Sequence, residues 1–165
     1  LDVEVDNQDY TARSPLLPAP RVDSVTLRRR QNELFFTDGY YLVAHYQDPP
    51  SADNFYLWQS QVNGRQVNSN IIVLTTDENL NGLYLNQELP EPLPLNTVAR
   101  GDTLQLELFS LSRTAFEYFQ GLSQLTESGS PAQAVPENPV SNIQGGGIGF
   151  FTASAVKYAR VIVAD

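Results

Sequence analysis

The sequence predicts a mostly β fold, namely an antiparallel β-sandwich or a partly closed barrel that carries one packed α-helix near residues 113–127. The first observation behind this prediction is the alternation of Leu104, Leu106 and Leu108 with polar residues, because successive side chains of a strand point to opposite faces. The second is the dipeptide Asn-Gly at 63–64, which readily takes the positive φ angles of a type I′ turn. The third is that a single segment has apolar residues at helical spacing.

Strand-like segments recur at short intervals along the chain. In order they cover residues 21–29, 40–47, 54–62, 70–76 and 102–111, followed by a last segment from 149 to the end. The segments on either side of the Asn-Gly dipeptide are expected to form a hairpin. Two proline-bearing stretches, 89–96 and 131–140, are predicted to be loops because proline cannot donate a ladder hydrogen bond.

One segment breaks the β pattern and is predicted to be an amphipathic helix. Ser112 fits an N-cap, and Gly129 stands just past the expected end. The apolar stripe consists of Ala115, Phe116, Phe119, Leu122 and Leu125. We expect this stripe to pack on a sheet rather than to line a ligand pocket.

Length, charge and composition limit the classes of function that the chain could have. The chain has 165 residues, of which 41% are hydrophobic, and no internal repeat, so residues 1–165 are expected to form a single domain with its own core. Its net charge of −9 repels nucleic acid and anionic lipid headgroups. The sequence has no cysteine, which excludes disulfides, thiolate nucleophiles and cysteine metal sites. No apolar run reaches the roughly 18 residues of a membrane-spanning helix.

Two features near the N-terminus concern the context of the chain. The chain begins at Leu1 with neither Met nor a signal peptide, so we expect a cut or processed piece of a longer protein. The basic run Arg28-Arg29-Arg30 is too short to reverse the acidic character of the surface. It is expected to end a strand and to be solvated rather than to bind an anion.

The glycine-rich stretch SNIQGGGIGFF, residues 141–151, has the composition of a phosphate-binding loop but not its pattern. Counted from Gly145 and Gly147, the third glycine of a dinucleotide fingerprint falls at position 150, which is Phe. The chain's only lysine, Lys157, does not stand where a Walker loop needs one. The glycines are therefore expected to serve the backbone conformation before a terminal strand.

The sequence offers little for catalysis. Its only histidine, His45, lies in a strand pattern and no Gly-x-Ser-x-Gly elbow is present, so a Ser-His-Asp triad is not expected. A zinc site would have to consist mostly of carboxylates, which Zn²⁺ rarely accepts. Asp38, Asp48 and Asp53 lie near turns in a tyrosine-rich region and leave open a carboxylate pair that flanks a sugar.

One segment matches the calcium-loop pattern position for position. In DENLNGLYLNQE the matching residues are Asp77, Asn79, Asn81, Gly82 and Glu88. An EF-hand needs a helix on each side, whereas the segment before this loop is strand-like and the segment after it is rich in proline. We expect an Asx-rich connection between strands without a metal. A calcium site formed by Asp77, Asn79, Asn81 and Glu88 stays open as the alternative.

Five blocks, in this order, resemble one protein family over nearly the whole chain: LLPAPRVDSV, DPPSADNFYLW, TTDENLNG, VARGDTLQLELFSLS leading into FEYF, and PVSNIQGGGIGFFTAS. The family comprises the C-terminal domains of Bacteroidota outer-membrane lipoproteins of unknown function, domain-of-unknown-function family four-two-four-nine. The resemblance implies a signal peptide that ends in a lipidated cysteine and an N-terminal β-sandwich domain. It also implies a location in the cell envelope and association with TonB-dependent transporters, and it supplies no catalytic residues.

The expected function is therefore that of a non-catalytic binding or interaction domain in the cell envelope. The expected partner is a TonB-dependent outer-membrane transporter or a small nutrient ligand, and no cofactor is expected. A calcium-stabilised binding module and a glycan-active enzyme with a carboxylate pair are the two alternatives.

Overall fold

The computed structural model of the chain describes residues 1–50, 53–67, 71–78, 80–127 and 140–164. Within them lie ten strands and one helix. In chain order they are β1 (Asp2–Val5), β2 (Gln8–Thr11), β3 (Val22–Arg30), β4 (Gly39–Gln47), β5 (Phe55–Val62), β6 (Arg65–Val67), β7 (Val73–Thr76), β8 (Tyr84–Glu88), β9 (Thr103–Leu111), α1 (Arg113–Glu127) and β10 (Val156–Ile162). The helix matches its predicted range.

The strands form two main sheets and a small hairpin. The larger sheet has the order β10-β9-β5-β6. Strands β6 and β7 share the same edge of β5, where β7 pairs with residues 55–58 and β6 pairs with residues 60–62. The smaller sheet has the order β3-β4-β8, and β1 pairs with β2. Each of these pairings between described strands is antiparallel, and the described strands do not close into a barrel. The predicted fold class is confirmed as an antiparallel sandwich with one helix.

The main core lies between the two sheets and follows the predicted alternation. Leu104, Leu106 and Leu108 of β9 are fully buried and point into it. From the smaller sheet, Tyr46 inserts between the sheets and contacts Trp58 of β5, with 5.8 Å between ring centroids. Large aromatic side chains bury much apolar area each, so this contact contributes strongly to holding the sheets together.

The helix covers the outer face of the larger sheet. Phe116 packs on Phe55 with 4.9 Å between ring centroids, and Ala115 is completely buried beside Leu111. The hydroxyl of Ser112 accepts a hydrogen bond from the amide of Ala115 at 3.2 Å, so the predicted N-cap is confirmed. Both faces of β5 are thereby buried, which explains why its sequence lacks a clean alternation.

The Asn63-Gly64 hairpin is confirmed. Both residues have positive φ angles, 50° and 77°, as a type I′ turn requires. The Asn63 side chain also donates to Asp102 at 2.8 Å and accepts from the amide of Thr103 at 2.9 Å. The turn residue therefore joins the β5–β6 hairpin to the start of β9.

The sequence placed the start of the last strand wrongly. Residues 149–155 are not part of the ladder, and β10 begins only at Val156. The Asn142 side chain donates to the carbonyl of Phe151 at 2.7 Å and accepts from its amide at 2.8 Å, while Ser14 accepts from the amide of Ala153 at 3.0 Å. The side chains of Asn142 and Ser14 therefore hydrogen-bond to backbone groups that a neighbouring strand would otherwise pair with.

Candidate functional site

His45 lies on the outer face of the smaller sheet, between its two neighbouring strands. Its Nδ1 donates to the side-chain oxygen of Asn86 at 2.6 Å, and its Nε2 accepts from the hydroxyl of Thr26 at 2.8 Å. Both ring nitrogens are thus used in cross-strand bonds, and neither partner is a carboxylate that could orient a general base. The histidine has a structural place in the sheet.

The calcium-like residues are not brought together as ligands. Glu88 lies at the end of β8 away from the loop and contacts Arg28 at 3.0 Å and Arg30 at 2.7 Å. Asp77 is buried and accepts from the backbone and side-chain amides of Asn54 at 2.8 and 2.7 Å. Asn79 lies outside the described residues. Over the described parts of the chain, no group of three or more His, Asp or Glu side chains could hold a metal ion.

Asp77 instead forms a buried pair with Asp48, which follows β4. The two residues are 1% and 0% exposed, and they lie close enough for the charge of Asp77 to act on Asp48. Asp48 also accepts from the Tyr56 hydroxyl at 3.2 Å and from the amide of Gly82 at 3.3 Å. Burial, reinforced by the neighbouring charge of Asp77, raises the pKa of Asp48 above its usual 3.8. The pair is closed off from solvent and anchors the β7–β8 loop on the end of β4.

The three carboxylates considered for a glycan site have separate partners. Asp38 accepts from the amide of Asn32 at 2.9 Å, and Asp53 forms an ion pair with Arg113 at 2.6 Å. Asp38 and Asp48 stand just outside opposite ends of β4, which at the rise of an extended strand separates them by roughly 30 Å. This is far beyond the distance of a glycosidase pair, so Asp38 and Asp48 do not form one.

The glycine-rich stretch serves the backbone, as expected. Gly145, Gly146 and Gly149 have positive φ angles, and at Gly145 an added Cβ would collide with the backbone carbonyl of Asp9. Gln8 donates to the carbonyl of Gly145 at 2.7 Å, so the stretch packs directly on the β1–β2 hairpin.

Two neighbouring apolar side chains are exposed in the connection between β3 and β4. Leu34 is 77% exposed and Phe35 is 93% exposed. Phe35 has a φ of 70°, a left-handed conformation that is a genuine outlier for a bulky residue. Strain of this kind persists only where the surrounding structure holds it, and it concentrates at functional positions. We call Leu34 and Phe35 the apolar tip.

Arg30 fixes the base of the apolar tip. Its guanidinium contacts Glu33 at 2.6 Å and Glu88 at 2.7 Å and lies 3.7 Å from the ring centroid of Phe36. Phe36 meets Tyr41 edge-on, with 6.0 Å between the centroids. The residues on either side of the apolar tip, Glu33 and Phe36, are therefore held against the end of β3.

This place of Arg30 corrects one expectation. The run 28–30 does end a strand, but the Arg30 side chain is only 13% exposed and is not simply solvated. The sequence analysis also passed over Leu34 and Phe35. The available signal was a Leu-Phe-Phe run inside an otherwise polar connection, where no strand or helix face can bury it.

No described helix is long and apolar enough to cross a bilayer. In the comparison with known families, the model described as "Domain of unknown function (DUF4249)" matches residues 1–160. No curated protein and no solved structure matches the chain.

Proposed function

The chain belongs to the DUF4249 family, and on that premise we propose that it is a non-catalytic interaction domain of the cell envelope that docks on a TonB-dependent outer-membrane transporter. The envelope location and the class of partner come from the resemblance of the sequence to Bacteroidota outer-membrane lipoproteins. In the full-length protein a lipid anchor would hold the domain close to such a transporter.

The observation that supports docking is the solvent-exposed apolar tip. Burying a Leu or Phe side chain contributes about 1.5–3 kcal/mol, so Leu34 and Phe35 together offer an anchor of about 3–6 kcal/mol before the costs of association. Because Arg30 holds the flanking residues Glu33 and Phe36, the connection loses less conformational entropy when a partner closes over it. A few buried side chains carry most of the binding energy of an interface, and Leu34 and Phe35 would be such anchors.

The charges beside the apolar tip indicate the kind of partner surface that it would contact. Arg28 keeps 59% of its side chain exposed, and Arg29, which bonds to Gln31, is also exposed. Because Arg28 and Arg30 are paired with Glu33 and Glu88, the positive charge at this end of β3 comes mainly from Arg29, on a chain whose net charge is −9. A partner with an apolar pocket and an acidic rim would pair with both features, and the basic end would orient the encounter.

The test is capture from solubilised outer membranes by the immobilised chain. We expect a TonB-dependent transporter to copurify with the wild type and to be depleted at least about tenfold by the double substitution Leu34→Ser, Phe35→Ser. Ile148→Ser is the matched control, because Ile148 is 93% exposed but lies in the glycine-rich stretch. Capture of the transporter by the double variant at the wild-type level, or no transporter in any eluate, would contradict the proposal.

A further inference from the structure

A second surface feature, far along the chain from the apolar tip, is a cleft beside the first half of α1. It has a volume of about 390 Å³ and is lined by Arg13, Thr114, Glu117, Tyr118, Val140 and Phe150. This volume falls at the lower end of the range of small-molecule sites, about 300–1,000 Å³. The cleft therefore has room for a small ligand.

One part of the cleft is aromatic and held in place. The rings of Tyr118 and Phe150 stack with 4.7 Å between their centroids. Phe150 is fixed by its neighbour Phe151, whose amide and carbonyl both bond to the Asn142 side chain. This wall can receive an apolar group without rearrangement.

Two solvent-exposed side chains of opposite charge, Arg13 and Glu117, line the same cleft. Neither the Arg13 guanidinium nor the Glu117 carboxylate has an ion pair or side-chain hydrogen bond with any residue in the described ranges, including each other. They are thus more than 4 Å apart across a cavity that both of them line. By contrast, Arg113 in the same helix is paired with Asp53.

The charge pattern decides between ligand classes. A simple anion would be attracted by Arg13 but repelled by Glu117. A simple cation would be attracted by Glu117 but repelled by Arg13. A neutral sugar would cover both charges and supply no counter-charge to either, which carries a desolvation cost. A zwitterion pairs both groups at once.

We infer that this cleft binds a small zwitterion with an apolar side chain, that is, a free amino acid of the aromatic or large aliphatic kind. Its carboxylate pairs with Arg13, its ammonium group pairs with Glu117, and its side chain packs on the wall of Tyr118 and Phe150. This site is separate from the apolar tip and does not depend on the docking function.

The first test is calorimetric titration of the wild-type chain with four probes. L-phenylalanine should bind, whereas 3-phenylpropionate and 2-phenylethylamine, which each lack one charge, should bind at least about tenfold more weakly. Glucose should give no heat. Absence of heat with L-phenylalanine at about 10 mM would overturn the inference, as would tighter binding of glucose or of either single-charge analogue.

The second test uses substitutions that remove one charge at a time. Arg13→Gln and Glu117→Gln should each weaken binding of L-phenylalanine by about tenfold or more. The matched controls are Arg65→Gln and Glu4→Gln, at exposed positions outside the cleft, and should bind as the wild type does. Wild-type affinity in either cleft variant would overturn the inference, and the four-probe comparison on the wild type keeps it testable if a variant does not fold.

Discussion

Asp48 and Asp77 are buried neighbours in the interior, and burial, together with the nearby charge of Asp77, raises the pKa of Asp48. Both oxygens of Asp77 already accept hydrogen bonds from Asn54, at 2.8 and 2.7 Å. Asp48 has weaker partners, since Tyr56 and Gly82 lie 3.2 and 3.3 Å away. Asp77 is therefore the more firmly hydrogen-bonded of the two side chains.

This difference in partners predicts an asymmetry between two conservative substitutions. Asp48→Asn removes the side chain with the weaker hydrogen bonds and the raised pKa, and it should not lower the free energy of unfolding at neutral pH. Asp77→Asn places an amide group against the donors of Asn54 and should cost about 1–3 kcal/mol. Urea unfolding measures both, with the exposed Asp2→Asn as the control. A larger loss of stability in Asp48→Asn than in Asp77→Asn would contradict this prediction.

The same pair predicts a pH dependence with a definite sign. Burial first, and then the charge of Asp77, raises the pKa of Asp48 in the folded state above its usual 3.8. The folded chain therefore holds this proton more tightly than the unfolded chain does. The resulting stability is fully present below a pH of about 3.8 and is lost as the pH rises through the folded-state pKa.

The substitution Asp48→Asn removes the titration of this residue. The comparison of variant and wild type therefore separates its effect on stability from the effects of the other carboxylates. The difference in unfolding free energy, variant minus wild type, should become more positive as the pH rises above about 4 and then level off. Urea unfolding of both proteins across this range is the measurement. A difference that stays flat, or that falls with rising pH, would refute the raised pKa.

Two neighbouring glycines should respond differently to alanine. Gly145 and Gly146 have φ angles of 93° and 85°, so each substitution should cost about 1 kcal/mol from backbone strain. At Gly145 the new Cβ also meets the carbonyl of Asp9, whereas at Gly146 it meets no atom within 4 Å. Thermal melts should show the larger loss for Gly145→Ala. Millimolar ATP should stabilise neither variant nor the wild type, and stabilisation of the wild type would indicate a nucleotide site instead.

Calcium should not stabilise the chain through the β7–β8 loop. Glu88, the distal ligand of the sequence pattern, is held by Arg28 and Arg30, and Asp77 is bonded to Asn54. A real site at a hundredfold excess of Ca²⁺ over its Kd would add about 2.7 kcal/mol of stability. We expect an unchanged melting temperature in millimolar Ca²⁺. A rise that disappears in Glu88→Gln would establish the metal site.

The sequence by itself determined the elements whose signals are local. The alternation at Leu104, Leu106 and Leu108 predicted a half-buried strand, and the Asn63-Gly64 dipeptide predicted the hairpin. Ser112 and the stripe that follows it predicted the helix and its N-cap. In each case the physical cause is a backbone preference or a periodicity over a few neighbouring residues, which folding leaves unchanged.

Only the tertiary structure decided which distant side chains meet. Asp48 and Asp77 come together across 29 positions because β4 and the β7–β8 loop end at the same edge of the sandwich, whereas the sequence pattern had paired Asp77 with Glu88. In the same way, Arg30 was expected to be solvated but contacts Glu33 beside the apolar tip. Arg13 lines a cleft together with Glu117, which is distant in the sequence. These contacts depend on strand order and register, which follow from the packing of whole sheets and leave no trace in the local pattern.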